Sequence, residues 1–163
     1  MSGPPPAARA ERLKAPLLLV LWVLLGIEAV GGLVVFFARL ATGSTPGETL
    51  HVVAGAILTP VYAVYQWQHW IRVAPWRSRL DYAIGLIAAL SIGATLATGY
   101  LLAWPWWEMR VTGPGDGPIS YSPPVSAAHN IMSMLVLTFV GAHVAAVLLR
   151  RDRSGFKATG SKP

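Results

Sequence analysis

Four stretches of the chain are apolar almost without interruption, and each is long enough to cross a membrane. They run from Pro16 to Leu40, Glu48 to Val73, Tyr82 to Ala103 and Val125 to Leu149. A helix rises about 1.5 Å per residue, so roughly 20 residues span a hydrocarbon core of about 30 Å. Within lipid every backbone polar group must bond internally, which favours helices here. The pattern predicts an all-α, four-helix transmembrane bundle. It divides into a basic tail (1–14), a four-helix domain (15–150) and a flexible basic tail (151–163). The first apolar stretch is longer than the ~7–15 residues of a signal-peptide core and is followed by no clear A-x-A site, so it is read as a retained helix.

The charged positions punctuate the apolar runs. Arg9, Arg12 and Lys14 precede the first helix, and Arg72, Arg77 and Arg79 lie between the second and third. Arg150, Arg151, Arg153, Lys157 and Lys162 follow the fourth, whereas the other two connections carry Arg39 and Arg110. The excess of Lys and Arg on one side predicts that both termini are cytoplasmic. Trp67, Trp70 and Trp76 then fall near the inner interface, and Trp104, Trp106 and Trp107 near the outer one. Such belts are expected of a spanning bundle, and packing against a cofactor is the other reading.

Composition agrees. Charged residues make up 12% of the 163, against roughly 25% in soluble domains, and mean hydropathy is positive. The net charge of +6 is accounted for by topology, so no nucleic-acid partner is expected. The absence of cysteine excludes disulfides, iron–sulfur ligation, thiolate ligands and covalent haem attachment.

The candidate chemistry is histidine. All four histidines lie in the second and fourth helices, as His51 and His69, then His129 and His143. Ionisable residues inside membrane helices mark functional sites by default. Eighteen residues make about five whole turns, and fourteen fall about 40° short of four, so each helix carries its two imidazoles near one face. The two helices run in the same direction. His51 can therefore face His129 near the outer surface, and His69 can face His143 nearer the cytoplasm. Two imidazoles on facing helices can clamp a planar macrocycle, and neutral imidazole is a good iron ligand. The axial separations differ, about 27 Å against about 21 Å. Helix tilt, a tilted haem plane or a π-bulge would have to absorb the difference.

Two other readings stand beside haem ligation. The histidines are four polar groups satisfied by neighbouring helices, or they are ligands of a metal or haem transporter. A transport path usually brings further Asp, Glu, Cys or Met ligands.

The segments LHVVAGAILTPVYAVYQWQHW and AAHNIMSMLVLTFVGAH resemble the broad class of di-haem cytochrome b membrane subunits. That class includes bacterial cytochrome b561-like proteins and the membrane anchors of formate dehydrogenases and nickel–iron hydrogenases. The resemblance covers the four-helix core and leaves out both tails. The fourth helix has the 14-residue spacing of the cytochrome b of bc-type complexes, and the second helix, at 18, departs from it. The resemblance implies two b-type haems on His51, His69, His129 and His143. It also implies electron exchange with the quinone pool or with a partner redox subunit.

The remaining candidates are secondary. Gly55, one turn from His51, makes room either for a porphyrin or for a helix. The same choice applies to Gly26, Gly31, Gly32, Gly85, Gly93, Gly99 and Gly141. Arg72, Arg77 and Arg79 could pair with propionates of an inner haem, and Arg110, Tyr121 and Ser126 are the outer counterparts. Gln66 and Gln68 could bond a haem edge or a quinone. Glu28, an acid well inside a helix, belongs to a proton path, to a propionate's surroundings or to a hydrogen bond between helices. No nucleophile–base arrangement or phosphate loop appears. The expected function is an electron-carrier subunit in the cell inner (plasma) membrane, in contact with lipid. A free-standing, quinol-oxidising cytochrome is the nearest alternative.

Overall fold

The computed structural model describes the backbone over residues 16–73, 79–113 and 119–159, and the side chains over 16–71, 82–113 and 119–145. Four long helices make up almost all of it: α1 (Pro16–Thr42), α2 (Glu48–Val73), α3 (Arg79–Trp107) and α4 (Pro123–Thr159). No strand occurs among the described residues. Each helix contains a segment long and apolar enough to cross a membrane, and the chain is a multi-pass membrane protein. Pro16 and Pro123 open α1 and α4, where a missing N–H costs nothing.

Between α1 and α2 the chain turns within five residues. Gly43 adopts φ 73°, and its N–H bonds the Arg39 carbonyl at 3.0 Å. A left-handed residue just past a helix is a common stop. The His51 N–H then bonds the Gly47 carbonyl at 3.0 Å, which sets His51 in the first turn of α2. Pro60 lies inside α2 between its two histidines.

Two helices run further than hydropathy predicts. Apolarity ends the third helix at Ala103, but α3 continues to Trp107 and passes into a π-helical turn, Glu108–Thr112. Pro105 lies in this last stretch. A proline near a helix end removes one hydrogen bond without ending the coil. The fourth helix reaches Thr159, through ten residues beyond the expected end at Leu149. Hydropathy reports the length of chain in lipid, whereas a helix propagates as long as its backbone bonds are made.

The helices pack as two hairpins. Contact is most extensive between α3 and α4, next between α1 and α2, and thin between α2 and α3. The two histidine-bearing helices, α2 and α4, are not among the closely packed pairs. A small core of Leu21, Leu58, Tyr62 and Ile92 joins α1, α2 and α3, with Val136 and Val140 of α4 against it. Outside it, large apolar side chains face outward, with Leu19, Leu90 and Leu40 between 64% and 75% exposed. In water this surface would aggregate; in a bilayer it meets lipid.

Candidate functional site

His51 of α2 and His129 of α4 meet across the gap between the hairpins. Their ring centroids are 6.2 Å apart and the rings stand at 75° to one another. All four helices contribute to this level, which is called the upper site below.

On α3, the Thr95 carbonyl lies 3.1 Å from His129 Nδ1, and Thr98 Oγ1 is also at 3.1 Å. A carbonyl oxygen can only accept, so Nδ1 carries the proton and Nε2 is a bare lone pair when the ring is neutral. The Thr98 hydroxyl has its own acceptors in the carbonyls of Ala94, at 2.8 Å, and Thr95, at 3.0 Å. It therefore accepts from the imidazole.

Glu28 of α1 treats His51 in the same way. Its Oε2 is 3.0 Å from His51 Nδ1, with both side chains largely buried. The contact is at ion-pair distance without an aligned hydrogen bond, and Nδ1 has no hydrogen-bond partner. An ionised Glu28 so near favours the proton on Nδ1 and leaves Nε2 as the base. His129 thus has the tautomer that a metal-bound histidine shows, with its second nitrogen held by an oxygen, and His51 sets its second nitrogen beside a carboxylate.

Glycines seat the two rings. A Cβ on Gly32 of α1 would lie 3.2 Å from His51 Cε1, and one on Gly99 of α3 would lie 3.2 Å from His129 Cε1. Gly31 borders His51 as well. Gly55 makes room for a different group, since its Cβ would lie 3.4 Å from Glu28 Oε2. Gly26, Gly93 and Gly141 have open space beside them.

The upper site is rich in polar atoms lacking partners. Glu28 Oε1, Thr95 Oγ1 and Ser126 Oγ are buried with no hydrogen bond, as is His51 Nδ1. Each such atom costs about 1–3 kcal/mol in a protein interior, and lipid offers no water to relieve it.

The lower pair converges differently. His69 of α2 and His143 of α4 line one cavity of about 100 Å³, together with Tyr65, Gln66, Tyr82 and Gly85. The His69 ring stacks on Tyr65, with centroids 5.5 Å apart and planes at 24°. The π-helical turn belongs to α3, so it does not shorten the 18-residue spacing on α2.

At the upper rim, the Tyr121 hydroxyl donates to Glu48 Oε1, and Thr45 Oγ1 donates to Glu48 Oε2 at 3.1 Å. The Arg39 guanidinium lies 5.2 Å from the centre of the Tyr121 ring. Burial and the bond to Glu48 push the Tyr121 phenol well above its ordinary pKa, while the charges of Arg39 and Arg110 act the other way. Arg110 is exposed on the π-helical turn. The side chains of Arg72, Arg77 and Arg79 lie outside the described ones. Trp67, Trp70, Trp104 and Trp107 are exposed and Trp106 is buried.

Sequence reasoning missed Thr95 and Thr98. Ser91, Thr95 and Thr98 follow one another at helical spacing on an otherwise apolar α3, and that polar stripe was the available signal.

Two imidazoles brought this close from different helices suit a metal whose remaining ligands arrive with it. A bare ion asks for three or more protein ligands. No group of three or more His, Cys, Asp or Glu side chains able to hold one occurs among the described residues. Comparisons with protein families, with curated proteins and with solved structures find no match to this chain.

Proposed function

We propose that the chain is a di-haem b cytochrome that carries electrons across the membrane. His51 and His129 hold the upper haem, and His69 and His143 the lower. The observation that carries this reading is the meeting of two imidazoles from α2 and α4, with ring centroids 6.2 Å apart and each Nδ1 beside an oxygen of another helix, Glu28 of α1 or Thr95 of α3. The thin contact between α2 and α4 is what a macrocycle between the hairpins would call for.

Haem b supplies a one-electron couple when bound. The protein's part would be to supply two imidazoles to each haem and to keep the pocket dry. Arg110, Arg72 and Arg77 are candidates for propionate contacts at the two ends. Two levels of ligands along α2 and α4 give the electron two stations between the faces of the membrane. Quinone, or a partner redox subunit, is the source or sink, the membrane is the cell inner membrane, and the termini lie on the cytoplasmic side to which the Lys and Arg excess points.

The test is a dithionite-reduced minus oxidised spectrum of protein purified from haem-sufficient cells. A low-spin b-type difference spectrum is expected. A flat difference spectrum overturns the proposal.

A further inference from the structure

The two upper imidazoles are held by unlike partners. His129 Nδ1 meets neutral oxygens, the Thr95 carbonyl and the Thr98 hydroxyl. His51 Nδ1 meets a carboxylate, Glu28 Oε2 at 3.0 Å. Glu28 is built into this position. It lies on α1, largely buried, and packs against Gly55 of α2, where a Cβ would stand 3.4 Å from Oε2. An acid within a membrane span is costly, and the group this one approaches is His51.

We propose that Glu28 is a positioning residue that tunes the upper haem through His51. A carboxylate behind Nδ1–H draws the proton toward itself and makes the imidazole a stronger donor. A stronger donor favours the higher oxidation state of the metal it binds. Axial ligands and their hydrogen bonds are levers on haem potential. The upper haem therefore sits at a lower potential than the same site would have with a neutral partner on both rings. The inference rests on the haem reading above and adds a residue that lowers the potential of the upper haem.

The experiment is a potentiometric titration of the full-length protein in detergent, with the ferric spectrum recorded by electron paramagnetic resonance. The upper haem is identified as the component lost in His51→Ala. In Glu28→Gln its midpoint potential is expected to rise and its low-spin ferric signal to shift, with the lower haem unchanged. Glu28→Asp, which keeps the charge, is expected to restore most of the wild-type potential. Glu28→Ala, which also removes the charge, serves if the Gln variant does not accumulate. Thr98→Val leaves the Thr95 carbonyl in place and is expected to move the potential less than Glu28→Gln does.

Wild-type protein without haem overturns the cofactor reading and this inference with it. Wild-type protein with haem, and an upper potential unmoved in Glu28→Gln, overturns this inference alone. If the Gln variant is lost, an upper potential unmoved in Glu28→Ala overturns it as well.

Discussion

The Thr95 carbonyl on α3 lies 3.1 Å from Nδ1 of His129 on α4, and this contact decides which nitrogen of the ring can act as a base. The hydroxyl of Thr98, one turn along, accepts from the same N–H. A histidine that merely satisfied itself in a membrane would use both nitrogens. Here Nε2 is left as the base, and the ring of His51 lies 6.2 Å away between centroids. The same relation holds on the other side, where Glu28 stands behind His51.

Ligand loss should separate the two haems. His51→Ala and His129→Ala are each expected to leave one haem per chain, the lower one, because an axial site cannot be refilled from the same pair. His69→Ala and His143→Ala are expected to leave the upper one. Haem content and the redox titration of each variant check this. Two haems retained in both His51→Ala and His129→Ala would sink the upper assignment.

Gly99 and Gly32 should be intolerant of side chains. A Cβ on either would stand 3.2 Å from an imidazole carbon, so the ring must shift. Overpacking of this kind costs about 1–3 kcal/mol. Gly99→Val is expected to lower thermal stability in detergent and to weaken the upper haem signal. Gly26→Ala, with open space beside it, should do neither. Equal behaviour of the two variants would remove the close-approach explanation.

The core joining α1, α2 and α3 is testable through Leu58, which is 4% exposed and packs with Leu21, Tyr62 and Ile92. Leu58→Ala is expected to destabilise the bundle by about 2–5 kcal/mol. Leu90→Ala, on the lipid-facing side, should cost far less. Unfolding in a mixed-detergent titration would show whether the ranking holds.

Tyr121 ties the segment before α4 to the start of α2. Removing its hydroxyl in Tyr121→Phe leaves Glu48 without that donor, at a cost of about 1–3 kcal/mol. The phenol's pKa is raised in the fold above its ordinary value of 10.0. A group raised in this way is favoured in its protonated form, so its contribution is complete below pH 10 and fades as pH rises through the folded value. The stability difference between wild type and Tyr121→Phe should accordingly stay flat from pH 7 to pH 9, within the usual spread of about 0.5 kcal/mol for surface changes. A difference that vanished by pH 9 would contradict the bond.

Much of this was legible in the residues. The bounds of α2 follow directly from its apolar run between Gly47 and the arginines. The four histidines announce themselves because imidazole is rare and costly in lipid, and their spacing places them on helix faces. The pairing of His51 with His129 follows from helix direction alone. What could not be read is which helix stands behind each ring. Thr95 and Thr98 look like ordinary small polar residues of a membrane helix, and their role depends on the rotation of α3 against α4. Glu28 could serve a proton path or a helix contact, and its partner is set by how α1 leans on α2. The continuation of α3 through Pro105 and of α4 past Leu149 escaped as well, since polarity marks where lipid ends and not where a helix does.

Whether two histidine pairs hold two haems is read most directly by a pyridine haemochrome assay on the purified chain, set against its protein concentration. B-type haem at about two per chain is expected. One haem per chain would leave the upper pair and discard the lower, and none, from cells able to make haem, would mean that the histidines do not ligate haem.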